Sequence, residues 1–173
     1  MKNRNRLVNM SRAFVRIALV LNGCLWGAIG LGLILSLVQG NTFTVLLLGL
    51  DTLSEVGNTT WGVRCLMLVG LLAFGSSQYI FFVLDRLVGS VAADDPFTEG
   101  NPGRIRRIAW ALLAIQMLDL PMMAIRHYFP GLEHAVPDNG VSLSGWLAVL
   151  MLFILARVFT TGTSMRDYLR ETV

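Results

Sequence analysis

The chain has 173 residues and a net charge of +3, with 54% hydrophobic and 14% charged residues. A soluble domain usually carries about 25% charged residues, so this composition argues against a soluble domain, and so small a net charge argues against direct binding of nucleic acid. The apolar residues collect into long uncharged runs, which is the pattern of an integral membrane protein.

The first apolar run predicts a membrane-spanning helix at about residues 14–38. A helix rises about 1.5 Å per residue, so about 20 residues cross a hydrocarbon core that is about 30 Å thick. The run from Ile17 to Val38 is interrupted only by Asn22 and Ser36. Because it is longer than the roughly 7–15 apolar residues of a cleaved signal peptide, we interpret it as an uncleaved span.

Glycines in this first span have the spacing of a helix-packing face. Gly23 and Gly27 form a GxxxG pair, and Gly30 follows about one turn later. Small residues at this spacing let two helices approach closely in a membrane. The partner is either another span of the same chain or a second copy of the chain in a homo-oligomer.

A shorter apolar segment, Phe43 to Leu50, lies in a predicted outer loop at residues 39–64. It is too short to cross a bilayer, so it forms either a re-entrant or interfacial helix or a simple loop. The second span is predicted at residues 65–84, which contain no formal charge.

The predicted inner loop covers residues 85–107 and carries helix-start signals near its end. Asn101 followed by Pro102 fits an N-cap with proline at the first helical position. The first turns of this helix then place three arginines among the lipid headgroups. These arginines either anchor the topology or bind an acidic lipid or an acidic protein segment; they are Arg104, Arg106 and Arg107.

The last two spans each contain one charged residue. The third span is predicted at residues 108–127, with Asp119 and Pro121, and the fourth at residues 143–162, with Arg157. They are joined by an outer loop at residues 128–142 and followed by a tail at residues 163–173. The proline predicts a kink close to Asp119, because it removes one helical hydrogen bond.

Charged side chains within a span are expensive and usually face other helices. Counting about 1.5 Å per residue from the centre of each span, we expect Arg157 to reach Asp119. The same arithmetic adds three amides at similar depth and predicts a polar layer of Asp119, Arg157, Asn22, Gln78 and Gln116. Such a layer forms either a proton or ion path or a set of interhelical hydrogen bonds.

The distribution of basic residues predicts the orientation of the spans. Cytoplasmic segments of membrane proteins are enriched in lysine and arginine. With Arg157 set aside, eleven basic residues fall in the N-terminal segment, the inner loop and the tail, against Arg64 and Arg126 in the outer loops. The chain is therefore predicted to be an all-α four-helix transmembrane bundle in a bacterial cytoplasmic (inner) membrane, with both termini in the cytoplasm.

No pattern in the sequence indicates catalysis, a cofactor or a metal. The chain contains no Walker loop, GxSxG or HExxH motif. Its two cysteines and two histidines lack the spacing of metal ligands. We therefore expect a protein that is not an enzyme and that has no catalytic, cofactor-binding or metal-binding residues.

Two parts of the chain resemble an uncharacterised bacterial membrane family. The first comprises DPFTEGN at residues 95–101 and RIRRIAW at residues 104–110. The second comprises LARVFTTG at residues 155–162 and MRDYLRETV at residues 165–173. The family is the one known as domain of unknown function 2975 (DUF2975), and the resemblance in layout extends over nearly the whole chain.

The resemblance implies a four-span protein whose gene often lies beside that of a small helix-turn-helix transcription regulator. It therefore implies, by association, that the loop at residues 94–107 and the tail at residues 162–173 dock this partner. Many family members carry an acidic residue where this chain has Arg157, so pairing with Asp119 is not part of the resemblance. The candidate docking residues are Asp95, Pro96, Phe97, Asn101, Arg104, Arg106, Arg107, Met165, Arg166 and Leu169.

Three functions remain open on the sequence. The leading hypothesis is a regulatory membrane protein that recruits the helix-turn-helix regulator. The intramembrane charges motivate a small transporter, channel or ion-coupled accessory subunit as an alternative. A structural or assembly factor of a membrane complex is the third.

Overall fold

A computed structural model describes residues 2–48, 56–92, 100–132 and 142–171, and the regular structure in these segments is helical. The helices are α1 (Lys2–Gln39), α2 (Asn41–Leu48), α3 (Val56–Ala92), α4 (Gly100–Met117), α5 (Asp119–Tyr128) and α6 (Leu143–Glu171), with a single 3-10 turn at Pro130–Leu132.

Four helical segments in the described residues are long and apolar enough to cross a membrane. They are Met10–Gln39, Thr59–Ser90, Gly100–Tyr128 and Leu143–Met165, and between 6% and 22% of the residues in their apolar windows are buried within the protein. Large apolar side chains such as Phe14, Leu46 and Met151 are exposed instead. A surface of this kind is stable in lipid, so the chain is a multi-pass membrane protein.

The long helices pack in chain order. The main interfaces join α1 to α3, α3 to α4, and α4 to α6, so the described helices form a row with α1 and α6 at its two sides. The remaining apolar faces are suited to contact with lipid. In a bilayer the hydrophobic effect does not drive helices together, so the row need not close into a ring.

Contacts between successive helices identify the two ends of the row. Arg16 of α1 contacts Asp85 of α3, and Ser90 of α3 contacts Asn101 of α4. The end where α1 and α4 begin and α3 and α6 end is called the terminal end below. The opposite end, where α2 and α5 lie, is called the loop end.

Glycine and proline set two of the helix boundaries. Gly40, with φ of +58°, follows the last residue of α1 and donates its N–H to the carbonyl of Ser36 at 3.1 Å. Glycine is the common residue for this left-handed position at a helix end. The third span breaks between α4 and α5 at Leu118, three residues before Pro121, which confirms the kink predicted near Asp119.

A small apolar cluster forms at the loop end. Val63, Ile125 and Leu132 are buried there, and Phe129 packs against them. The cluster joins the start of α3 to α5 and the 3-10 turn. The segment predicted at residues 43–50 is helical over its described part, as α2 covers Asn41–Leu48.

Candidate functional site

A polar pair links α1 to α3 in the apolar part of the row. Asn22, which is 8% exposed, donates its Nδ2–H to Gln78 Oε1 at 2.8 Å and to the carbonyl of Phe74 at 3.0 Å. The chain has glycine next to this pair, at Gly23, where an added Cβ would lie 3.3 Å from Gln78 Nε2. The glycine therefore leaves room for the glutamine side chain.

The other predicted members of the polar layer lie elsewhere. Gln116 is buried at the loop end and donates its side-chain N–H to the carbonyl of Ser142 at 3.4 Å. Asp119 begins α5 just beyond it. Arg157 is exposed and lines a groove with Arg106 on α4.

The predicted ion pair between Asp119 and Arg157 is wrong, because the packing of α4 against α6 places the two residues at different depths. Gln116 is level with Ser142, and Arg157 lies 14 residues after Leu143, the first residue of α6 (157 − 143 = 14). At about 1.5 Å per residue this is a separation of about 21 Å along the helix, beyond the reach of one arginine.

The five polar residues therefore do not form a single layer. Asn22 and Gln78 form an interhelical hydrogen bond, which is the structural alternative considered for the layer. The separation of Asp119 from Arg157 removes the pairing that had motivated a transport path.

Substitution of the Asn22–Gln78 pair tests its contribution to stability. Asn22→Leu is expected to lower the free energy of unfolding by about 0.6–2 kcal/mol, because it removes interhelical hydrogen bonds within lipid. The measurement is unfolding by SDS in mixed micelles. Gln78→Leu and the double variant complete a double-mutant cycle, and strictly additive losses would show that the two amides do not interact.

Two of the three glycines in the predicted packing face, Gly23 and Gly30, lie against α3. Gly23 faces Gln78, and an added Cβ at Gly30 would contact Leu71 at 3.7 Å. An added Cβ at Gly27 would meet nothing within 4 Å, so the prediction that Gly27 packs against another helix is wrong within the described chain. The reason is that α3 packs against the face of α1 that carries Trp26, whose Nε1–H donates to the carbonyl of Leu71 at 3.0 Å. Gly27 lies on a different face of α1.

At the terminal end, α1 is tied to α3 by charge. Arg16 Nε lies 3.4 Å and Arg12 Nε 3.9 Å from the same oxygen of Asp85. An added Cβ at Gly89 would lie 2.9 Å from Arg12 Nη2, so this glycine lets Arg12 pass close to α3. The sequence analysis did not identify this cluster, although its acid directly follows the second apolar run.

A second polar cluster ties α3 to α4. Asn101 is fully buried, and its Nδ2–H donates to Ser90 Oγ at 2.9 Å. Arg104 Nη1 donates to Asn101 Oδ1 at 2.8 Å. Asn101 is therefore a structural residue, and its predicted role in direct docking is wrong because its side chain is inaccessible to a partner.

The structure describes only some of the remaining candidate docking residues. Asp95, Pro96 and Phe97 lie outside the described residues, and so do the side chains of Arg166 and Leu169. Among the candidate docking residues whose side chains are described, Arg106, Arg107 and Met165 are exposed at the terminal end.

Neither metal binding nor cysteine pairing finds support in the described segments. Within them, no three His, Cys, Asp or Glu side chains lie close enough to hold a metal ion. Cys24 and Cys65 are both free.

Comparison with known protein families matches residues 41–173, more than half of the chain, to a family described as a protein of unknown function, DUF2975. No curated protein and no solved structure matches the chain. The matched segment begins at α2 and includes both the polar cluster around Asn101 and the whole of α6.

Proposed function

Since the chain belongs to the DUF2975 family of proteins of unknown function, we propose that it is a regulatory protein of the bacterial cytoplasmic membrane that recruits a small helix-turn-helix transcription regulator. The association of many family members with such a regulator supports this proposal. The role is non-catalytic, and the regulator, rather than this chain, binds the DNA.

In this proposal the terminal end of the row faces the cytoplasm. Eleven lysines and arginines lie in the segments at that end, against Arg64 and Arg126 at the loop end. A bias of this size supports an orientation with the basic side in the cytoplasm. The apolar helix α2 then lies at the outer membrane surface as an interfacial helix.

The observation that carries the proposal is that helices continue past the apolar spans at the terminal end. Helix α1 begins at Lys2 although the first span is predicted from about residue 14, and α6 continues to Glu171 although the fourth span is predicted to end at about residue 162. The lysines and arginines in the sequence of these extensions, together with the exposed Arg106 and Arg107 of α4, make the terminal end basic. Such a surface suits the acidic face of a soluble partner.

Co-purification in mild detergent from the native host tests this function. We expect a small helix-turn-helix protein to be retained with the chain, and the double variant Arg107→Glu and Met165→Asp to reduce its retention about ten-fold, which corresponds to about 1.4 kcal/mol. Both residues are exposed at the terminal end.

His127→Glu, an exposed position at the loop end, is the matched control and should leave retention unchanged. The proposal fails if no helix-turn-helix protein is retained and if deletion of the gene leaves the regulator's target transcription unaltered.

A further inference from the structure

A groove between α4 and α6 brings two arginines together at the terminal half of the row. Arg106 comes from α4 and Arg157 from α6, and the groove between them has a volume of about 370 Å³. Gly103 and Pro102 on one side and Phe153 and Thr160 on the other complete its walls. The absence of a side chain at Gly103 keeps the groove open beside the two guanidinium groups.

These two arginines differ from most others in the described chain. Arg12 and Arg16 share Asp85, Arg104 is bonded to Asn101, and Arg64 is bonded to Ser36. The guanidinium groups of Arg106 and Arg157 have no hydrogen-bond or ion-pair partner among the described residues, and the carbonyl of Arg157 accepts only from Thr161 of its own helix. Two positive charges thus line one groove with no described acid to neutralise them.

The depth of Arg157 favours a bound anion. It lies within the fourth span, predicted at residues 143–162, five residues before the end of that span (162 − 157 = 5), or about 8 Å along the helix. A charged side chain at such a depth is costly unless it is paired or solvated. Each guanidinium can donate several N–H groups and binds phosphate oxygens in a bidentate manner.

The groove also has an apolar side that continues toward the membrane centre. The ring of Phe153 packs edge-on against Trp110, with ring centroids 5.4 Å apart, and Trp110 is exposed to lipid. The site is therefore cationic at the headgroup level and aromatic below it. This order of cationic and apolar surface matches a phospholipid, whose phosphate and acyl chains lie in the same sequence along the membrane normal.

We propose that the groove between Arg106 and Arg157 is a binding site for one anionic phospholipid of the leaflet at the terminal end. The phosphodiester is held by the two guanidinium groups, and one acyl chain lies along Phe153 and Trp110. Basic pockets between transmembrane helices are a recurrent form of site for acidic lipid headgroups. This inference does not depend on a protein partner.

Native mass spectrometry of the full chain in detergent, titrated with phosphatidylglycerol, tests the site. We expect one tightly bound lipid per chain. Arg106→Gln and Arg157→Gln should each weaken binding about five-fold and together about thirty-fold, from the roughly 1 kcal/mol per basic residue near anionic lipid. Arg107→Gln is the matched control, because Arg107 is an exposed arginine on the same helix that does not line the groove.

Three outcomes would overturn the proposal. The first is equal loss of lipid in the Arg107→Gln control, which would indicate general charge attraction. The second is undiminished binding in the double variant Arg106→Gln and Arg157→Gln, with size-exclusion profiles showing that it is folded. The third is displacement of phosphatidylglycerol by millimolar inorganic phosphate, which would assign the site to a soluble anion.

Discussion

Gly62→Val is expected to lower the free energy of unfolding by about 3 kcal/mol, the upper part of the range for overpacking. An added Cβ alone would lie 2.7 Å from both Leu132 Cδ1 and Phe129 Cγ. Leu132 is 1% exposed, so it has no space into which it can move. The ring atom of Phe129 lies next to its own backbone and cannot turn away without moving the 3-10 turn.

The matched control for this variant is Gly27→Val. Gly27 is also a helical glycine, but an added Cβ there meets nothing within 4 Å. Because valine has a higher helix propensity than glycine, the control should be neutral or slightly stabilising. Unfolding by SDS in mixed micelles measures both variants. Equal stability changes at Gly62 and Gly27 would show that the loop-end cluster is not tightly packed.

Arg64→Leu is expected to cost about 3 kcal/mol through the loss of hydrogen bonds that join α3 to the end of α1. Arg64 Nη2 donates to the carbonyl of Ser36 at 2.7 Å, and its Nε donates to Ser36 Oγ at 3.2 Å. Ser36 is fully buried, so its hydroxyl loses the donor that Arg64 supplies, and its carbonyl keeps only the N–H of Gly40. Hydrogen bonds to charged groups contribute about 1.5–3 kcal/mol each.

The geometry of the guanidinium group makes Arg64→Lys an informative second variant. Lysine retains the charge near the carboxyl end of α1, where a cation is favourable, but it lacks the planar fork that reaches two acceptors at once. We expect it to restore about half of the lost stability. Complete rescue by lysine would show that the charge alone, and not the pair of hydrogen bonds, stabilises the contact between α3 and the end of α1. The readout is the same SDS titration.

Gly62 and Arg64 both lie at the loop end, whereas Arg106 and Arg157 lie toward the terminal end. The loop end contains the buried cluster of Val63, Ile125 and Leu132, so substitutions there should change stability. The groove of Arg106 and Arg157 is at the other end. Variants in the groove should therefore change lipid binding with little effect on stability.

The sequence alone was sufficient to predict the helical spans and the break in the third one. Each predicted apolar run lies within a helical segment long enough to cross a membrane, because lipid leaves the backbone no partner except its own carbonyls. The proline at residue 121 gave the position of the break near Asp119. The resemblance in two short stretches also identified the family, which the match over residues 41–173 confirms.

The pairing of polar side chains could not be predicted with the same success. Asn22 does meet Gln78, but only the folded chain shows that Gln116 pairs with Ser142 and that Arg157 lies beside Arg106. Counting from the centre of each span assumes that all helices are centred at one depth. That assumption fails for α4 and α6.

Sequence by itself thus determined which segments enter the membrane, since hydrophobicity and length depend only on the order of residues along the chain. Tertiary structure decided how far each helix slides along its neighbour, and therefore which polar groups meet. That offset is set by side-chain packing between helices, such as the contact of Trp110 with Phe153. Because of this offset, Arg157 lies far from Asp119 and lines a groove with Arg106.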